Sequence, residues 1–190
     1  TIISHGLPYP ANIAAAKQFE EQLTAAGVVP ATIGIIKGVP IVGLSPDELE
    51  LIAAEGTAKA SVRDLPIIAA KKINGATTVA ATAFLAARAG IRVFATGGLG
   101  GVHKGAIDTF DESADLTTLA TSPVVVVSAG VKSVLDISAT LERLETLSIP
   151  LVGFKTDIFP SFWLPTSDYT LDWSVGSAKE VADIVASQNE

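Results

Sequence analysis

The sequence predicts an α/β protein, a layered sandwich with a central mixed, largely parallel sheet flanked by helices. Three observations carry that expectation. The second half alternates short apolar runs, glycine-bearing loops and helical stretches. The run Val124-Val125-Val126-Val127 is continuous rather than alternating, which suits a strand covered on both faces. Several helical stretches carry their own start or stop signals. At 190 residues the chain is expected to form one α/β domain, 1–190. It opens on Thr1-Ile2-Ile3 and contains no Met, so it reads as an incomplete piece of a longer domain.

The elements follow in order. Residues 11–26 form an amphipathic pattern closed by Gly27. Thr32–Ile36 and Pro40–Leu44 read as two strands joined through Lys37-Gly38, a hairpin signal. Ser45-Pro46-Asp47-Glu48 starts a helix: a Ser cap, Pro in the first turn, then two acids suited to the positive end of the dipole. This helix should run to about Gly56. Asp64–Ile73 and Thr77–Ala89 are helical patterns, the second stopped by Gly90. Ile91–Ala95 reads as a short buried strand leading into the glycine-rich Thr96–Gly105. Val124–Ser128 is the clearest strand, with Gly130 after it and a helix expected from about Ser133 to Leu147. Leu151–Phe154 is a further strand, and Ser174–Ser187 a final helix. In such folds ligands gather at the carboxyl ends of strands, which singles out the loops after Ala95, Ser128 and Phe154.

Composition narrows the function. Hydrophobic residues make up 48% and charged residues 17%, which excludes intrinsic disorder. With no Cys, disulfides, thiolate nucleophiles and Cys-based metal sites are excluded. The net charge is −7 and the 13 Lys and Arg are scattered, so a nucleic acid polymer is not an expected partner. No apolar run approaches the length of a bilayer span, so no membrane partner is expected.

Four stretches could carry chemistry. Gly97-Gly98-Leu99-Gly100-Gly101 lets a backbone approach a ligand closely and aim amides at an anion, but it is not the dinucleotide fingerprint. Asp111, Glu112 and Asp115 follow, and could hold a hard divalent cation through one carboxylate and waters, or form a solvated acidic loop. Lys132 leaves the Val124–Ser128 strand at an expected helix start. Burial and the helix dipole there would both favour the neutral amine that attacks a carbonyl; the alternative is a lysine whose stem packs on the sheet while its head reaches water. Lys59, Ser61 and Arg63 could grip a phosphate or form an ordinary turn. His5 and His103 have no histidine-ligand spacing, and Asn74–Thr78 either presents amides to a polar ring or starts a helix.

Taken together, these segments resemble the pseudouridine-5′-phosphate glycosidase family. The resemblance is carried by Ile3-Ser4-His5-Gly6-Leu7-Pro8-Tyr9-Pro10, Val29–Ile33, Arg63-Asp64-Leu65-Pro66, Asn74–Val79, Phe94–His103, Ser113-Ala114-Asp115-Leu116 and Ala129-Gly130-Val131-Lys132-Ser133, with a weaker match through Pro160-Ser161-Phe162-Trp163. It implies cleavage of the carbon–carbon glycosidic bond of pseudouridine 5′-phosphate to uracil and ribose 5-phosphate. Lys132 would be the imine-forming nucleophile. Asp111 would hold the metal, Mn²⁺ or another divalent cation. Lys59, the backbone at Val79, Thr96, Ser113, Ala114 and Asp115 would contact substrate. A cytoplasmic homo-oligomer, a trimer, is also implied. The family's general acid is a Glu in a Glu-Ser-Thr segment, and this sequence opens at that Thr. A sugar-phosphate-binding fragment without turnover, or a Schiff-base aldolase acting on another sugar phosphate, are the alternative readings.

Overall fold

The computed structural model describes residues 2–54 and 57–188, with the His5 side chain outside the description. The chain divides into two compact units, Thr1–Phe94 and Ala95–Glu190, and each is built as follows.

The first unit begins with α1 (Ile2–His5) and α2 (Ala11–Ala25). Gly27, at φ +77°, takes the chain out of α2. Strands β1 (Ile33–Ile36) and β2 (Val39–Val42) pair antiparallel with Ile36 opposite Val39. The two-residue link Lys37-Gly38 has φ of 49° and 83°, the positive pair that matches the twist of a tight hairpin. Helix α3 (Pro46–Ala53) starts on the expected box. The Ser45 hydroxyl accepts from Glu48 N at 3.3 Å, and the Glu48 carboxylate accepts from Ser45 N at 2.8 Å. The helix ends before its expected stop, and Gly56 lies outside the described residues.

Next come β3 (Ala58–Ala60), a 3₁₀ turn at Val62–Asp64, α4 (Leu65–Lys71), β4 (Gly75–Thr77), α5 (Val79–Arg88) and β5 (Val93–Ala95). The sheet order is β2-β1-β4-β3. It is mixed: β1 runs antiparallel to β2 and β4, and β3 runs parallel to β4. Thr77 therefore belongs to a strand, not to the helix assigned from sequence. Its hydroxyl donates to the Ile33 carbonyl at 3.0 Å and accepts from Thr82 at 2.8 Å, so cross-strand bonding outweighs its place before a helical run. The core gathers Ile13, Ala16, Leu44, Leu49, Ile52, Ala53 and Ala76, with a second cluster of Ile35, Ala60 and Ile68.

The second unit carries α6 (Ala106–Thr109), α7 (Ala114–Leu119), β6 (Val125–Val127), α8 (Ile137–Thr146), β7 (Gly153–Phe154), β8 (Ser174–Val175) and α9 (Ala178–Ser187). Val102, Leu116 and Leu144 form its core, with Ala139, Leu147, Ile149 and Leu151 packed around them. Strands β7 and β8 pair parallel. Ser174 is thus in a strand, and α9 starts on Ser177, whose hydroxyl accepts from Glu180 N at 3.3 Å.

Three further expectations are corrected. Helix α8 starts at Ile137, not Ser133, because residues 131–135 stay in bridges to Leu99 and His103. Asp136 is its cap, accepting from Ala139 N at 3.0 Å. Val127 and Val93 are 56% and 61% exposed, so neither of these two strands is covered throughout. β-branched residues favour extended backbone, but what covers a strand depends on its neighbours.

The hairpin generates a paired test. Ala at either Gly27 or Gly38 would adopt a positive φ, costing about 1–2 kcal/mol. A Cβ at Gly27 meets nothing within 4 Å, whereas one at Gly38 would lie 2.8 Å from the Ala69 carbonyl oxygen. Urea unfolding should show Gly38→Ala as the more destabilising of the two.

Candidate active site

Thr96 through Val102 is where the second unit concentrates its polar contacts. The glycine-rich stretch is not an open loop. Its backbone runs parallel to residues 127–132: Thr96 N donates to Val127 O (3.0 Å), Ala129 N to Gly97 O (2.9 Å), Leu99 N to Gly130 O (2.9 Å) and Lys132 N to Leu99 O (3.0 Å). Farther on, Gly100 N donates to Asp115 Oδ2 at 2.7 Å and Val102 N to Thr140 Oγ1 at 3.0 Å. His103 N donates to Asp111 O at 3.0 Å. Of the five amides in Gly97–Gly101, those of Leu99 and Gly100 are thus committed to the fold.

The glycines serve close packing. A Cβ on Gly100 would overlap the Ser113 hydroxyl and lie 2.6 Å from Asp115 Oδ2. One on Gly101 would sit 2.5 Å from Thr140 Oγ1, and one on Gly98 would meet the Phe162 ring at 2.5 Å. Polar and aromatic side chains therefore lie directly on this backbone.

Lys132 follows from that ladder. Its amide is fixed to Leu99, its side chain is half-buried, and its Cγ would lie 3.4 Å from a Cβ on Gly98. It forms no ion pair among the described residues. Lys132 does not stand at the expected helix start, since α8 begins at Ile137. A sheet ladder, not a helix dipole, places this lysine.

The three carboxylates diverge. Residues 101–103 and 111–113 form a short antiparallel ribbon around α6: Ser113 N donates to Gly101 O at 3.0 Å, and Val102 bridges to Glu112. Asp115, 4% exposed, caps this region from inside, and its own amide donates to Ser113 Oγ at 3.2 Å. Glu112 accepts from Arg143 Nε at 2.9 Å. Asp111 faces solvent, with His103 Nδ1 at 3.8 Å from its Oδ2. Thr96 and Ser113 are half-buried and Ala114, the first residue of α7, is exposed.

Among the described residues no three or more His, Asp or Glu gather as a metal cage. One open carboxylate beside one imidazole does fit a hard cation that keeps most of its waters. His103 has no partner by sequence spacing; the ribbon supplies Asp111 across it.

In the first unit, Lys59 is exposed on β3, and Val79 is buried as the first residue of α5, whose cap Thr78 accepts from Ala81 N at 3.3 Å. The parallel register sets Ala60 opposite Thr77, and Thr78 N donates to Ala60 O at 2.8 Å. Lys59 and Val79 therefore share the carboxyl end of the β3–β4 pair. Ser61 and Asp64 close a capping box, while Arg63 reaches outward beside Asp64 at 3.6 Å. Asn74 is occupied too, its side chain accepting from Lys37 N at 2.8 Å.

An α/β chain with a lysine set on a glycine-rich ladder beside an acidic ribbon has known counterparts. The chain belongs to the family of indigoidine synthase A like proteins, whose model matches residues 1–190. The resemblance noted in the sequence is borne out within that family. A pseudouridine-5′-phosphate glycosidase of Saccharopolyspora erythraea is 60% identical over 190 residues, all of this chain and 63% of its own length. One of Escherichia coli K12 is 53% identical over 184 residues, 96% of this chain and 59% of its own. The chain thus spans about three-fifths of these relatives. Among solved structures, an indigoidine synthase A-like protein of Thermotoga maritima superposes with TM-score 0.94 at 44% identity, covering all of this chain and 63% of that one. A prealnumycin C-glycosynthase in complex with ribulose 5-phosphate gives TM-score 0.87 at 39% identity, over 92% of this chain and 58% of that one.

The buried carboxylate makes a structural prediction. Asp115→Ala leaves the Gly100 amide without its acceptor, and the expected loss is about 1–3 kcal/mol. Asp115→Asn retains an acceptor oxygen and should lose less. Chemical denaturation of both variants measures the difference, and two unchanged stabilities would rule out a holding role for the carboxylate.

Proposed function

We propose that this chain carries the nucleophile and metal-holding part of a pseudouridine-5′-phosphate glycosidase, which splits its substrate with water into uracil and ribose 5-phosphate. The observation that carries this reading is the 60% identity, along all 190 residues, to a relative named for that activity. The neighbour that holds ribulose 5-phosphate supports a site shaped for a five-carbon sugar phosphate.

The chemistry assigns Lys132 as nucleophile. Opening the ribose breaks its C1′–O4′ bond, O4′ leaving with the electron pair and gaining a proton, while the neutral amine of Lys132 bonds to C1′ and gives up a proton. The C1′–C5 bond then breaks with its electron pair passing to the uracil ring, which takes up a proton from a general acid. C1′ is left as the carbon of a protonated imine on Lys132 Nζ. Water hydrolyses that imine, freeing ribose 5-phosphate and the amine. Covalent catalysis suits this bond because a carbon leaving group is poor, and the positive imine nitrogen accepts the charge that the breaking bond would otherwise place on carbon.

The other residues bind. Lys59 offers a flexible ammonium to the phosphate, with the amide at Val79 beside the same strand ends, and Thr96, Ser113, Ala114 and Asp115 would contact substrate. Asp111, with His103 alongside, would hold Mn²⁺ or another divalent cation through its waters. Such an ion, when bound, supplies positive charge to substrate oxygens. The assembly is read as a cytoplasmic homo-oligomer, a trimer. No helix among the described residues is long and apolar enough to cross a bilayer.

Two outcomes are expected. Borohydride reduction in the presence of ribose 5-phosphate should add the sugar to Lys132, located by peptide mapping, and Lys132→Ala should abolish the adduct. Label on Lys59 or Lys104 instead would overturn the nucleophile assignment. Mn²⁺ titration followed by calorimetry should show one site per chain, weakened at least about tenfold by Asp111→Asn, in line with losing a liganding carboxylate. Unchanged binding would remove Asp111 from the site.

A further inference from the structure

The segment Phe159–Phe162 closes on the Lys132 ladder at two glycines. At Gly130, whose φ is +80°, an added Cβ would lie 2.7 Å from the Pro160 carbonyl oxygen and 3.0 Å from the Phe159 ring. At Gly98 it would lie 2.5 and 2.7 Å from two carbons of the Phe162 ring, and 3.4 Å from Lys132 Cγ. The ring and the lysine stem therefore converge on one point above Gly98. Gly130 O accepts from Leu99 N in the ladder, and Gly98 lies between Gly97 and Leu99, whose carbonyls accept from Ala129 N and Lys132 N.

The segment is itself tied down. Phe159 is 3% exposed, and its amide donates to Tyr169 O at 2.9 Å. Ser167 Oγ donates to the Phe159 carbonyl, and Ser161 Oγ to the Thr166 carbonyl at 2.7 Å. Phe162 sits at φ +65°, a conformation that a bulky residue keeps only when its surroundings hold it. Trp163 meets its ring edge-on, with centroids 4.6 Å apart.

We propose that Phe162 is a positioning residue for Lys132: its ring fills the space over Gly98 and forms a wall that confines the lysine methylenes. The proposal rests on the reading of Lys132 as nucleophile. A lysine stem has four rotatable carbons and many rotamers. A fixed wall against it raises the share of conformers in which Nζ points at the sugar carbon, and misplacement by about 1 Å can cost 10²-fold in rate. Phe162 takes no proton and forms no bond, so its effect should fall on the rate of imine formation and not on affinity.

The test uses the full-length protein with ribose 5-phosphate as probe, measuring both the rate of borohydride-trapped adduct at Lys132 and the dissociation constant. Phe162→Ala should slow trapping about 10–100-fold with affinity held within about twofold, and Phe162→Tyr, which keeps the ring, should restore the rate. Phe162→Leu, which keeps apolar bulk without the flat ring, serves if the alanine variant does not fold, and should lie between. Trapping at the unsubstituted rate in the alanine variant, or in the leucine variant where that one stands in, overturns the proposal. So does a loss of rate and affinity in equal proportion, the signature of a ring that only maintains the pocket. If the unsubstituted protein gives no adduct on Lys132, the nucleophile reading itself fails and this inference falls with it.

Discussion

The parallel backbone ladder between residues 96–99 and 127–132 is the constraint from which the second unit's chemistry follows. Four amide–carbonyl bonds, from Thr96, Ala129, Leu99 and Lys132, fix the height of Lys132 against the glycine-rich stretch. The amides of Thr96 and Leu99, and that of Gly100 beyond them, already have acceptors within the protein. Polar side chains then complete what the ladder begins: Asp115 takes Gly100, and Thr140 takes Val102. Thr140 is fully buried, and its hydroxyl also donates to the Asp136 carbonyl at 2.5 Å, which ties the start of α8 to the same stretch.

The glycines read differently once this is seen. Gly-rich runs are commonly places where a ligand approaches a backbone. Here the approaching groups belong to the protein: Phe162 at Gly98, Ser113 and Asp115 at Gly100, Thr140 at Gly101. The absence of side chains lets three parts of one unit meet at a single strip of chain. A close-packed strip of this kind keeps a reactive lysine in register better than a flexible loop would.

Much of this was legible in the sequence where local chemistry decides. The Ser45 capping box, the Lys37-Gly38 turn and the Gly27 and Gly90 stops depend on a few adjacent residues and formed as read. Strands β4 and β8 were hidden because each is set by its partner: Gly75–Thr77 by β1 and β3, Ser174–Val175 by β7. The start of α8 was misplaced for the same reason, although Asp136 three residues before Ala139 was a usable cap signal. Around the proposed site, Lys132 and Asp111 stand out in the sequence, but the pairing of His103 with Asp111 and the ring over Gly98 arise from folding across 8 and 64 positions, distances at which sequence spacing says nothing.

The ribbon that carries Asp111 differs in kind from the ladder that carries Lys132. Its turn is α6, which has no buried residue, and Ile107 and Phe110 there are 88% and 86% exposed. Few buried contacts mean a low free energy of local opening, while the ladder's amides lie beside the packed glycines. Amide protons around α6 should therefore exchange with solvent well before those of Leu99 and Lys132. The proposed cation ligand would then sit on a segment that opens independently of the proposed nucleophile, which stays held by the ladder.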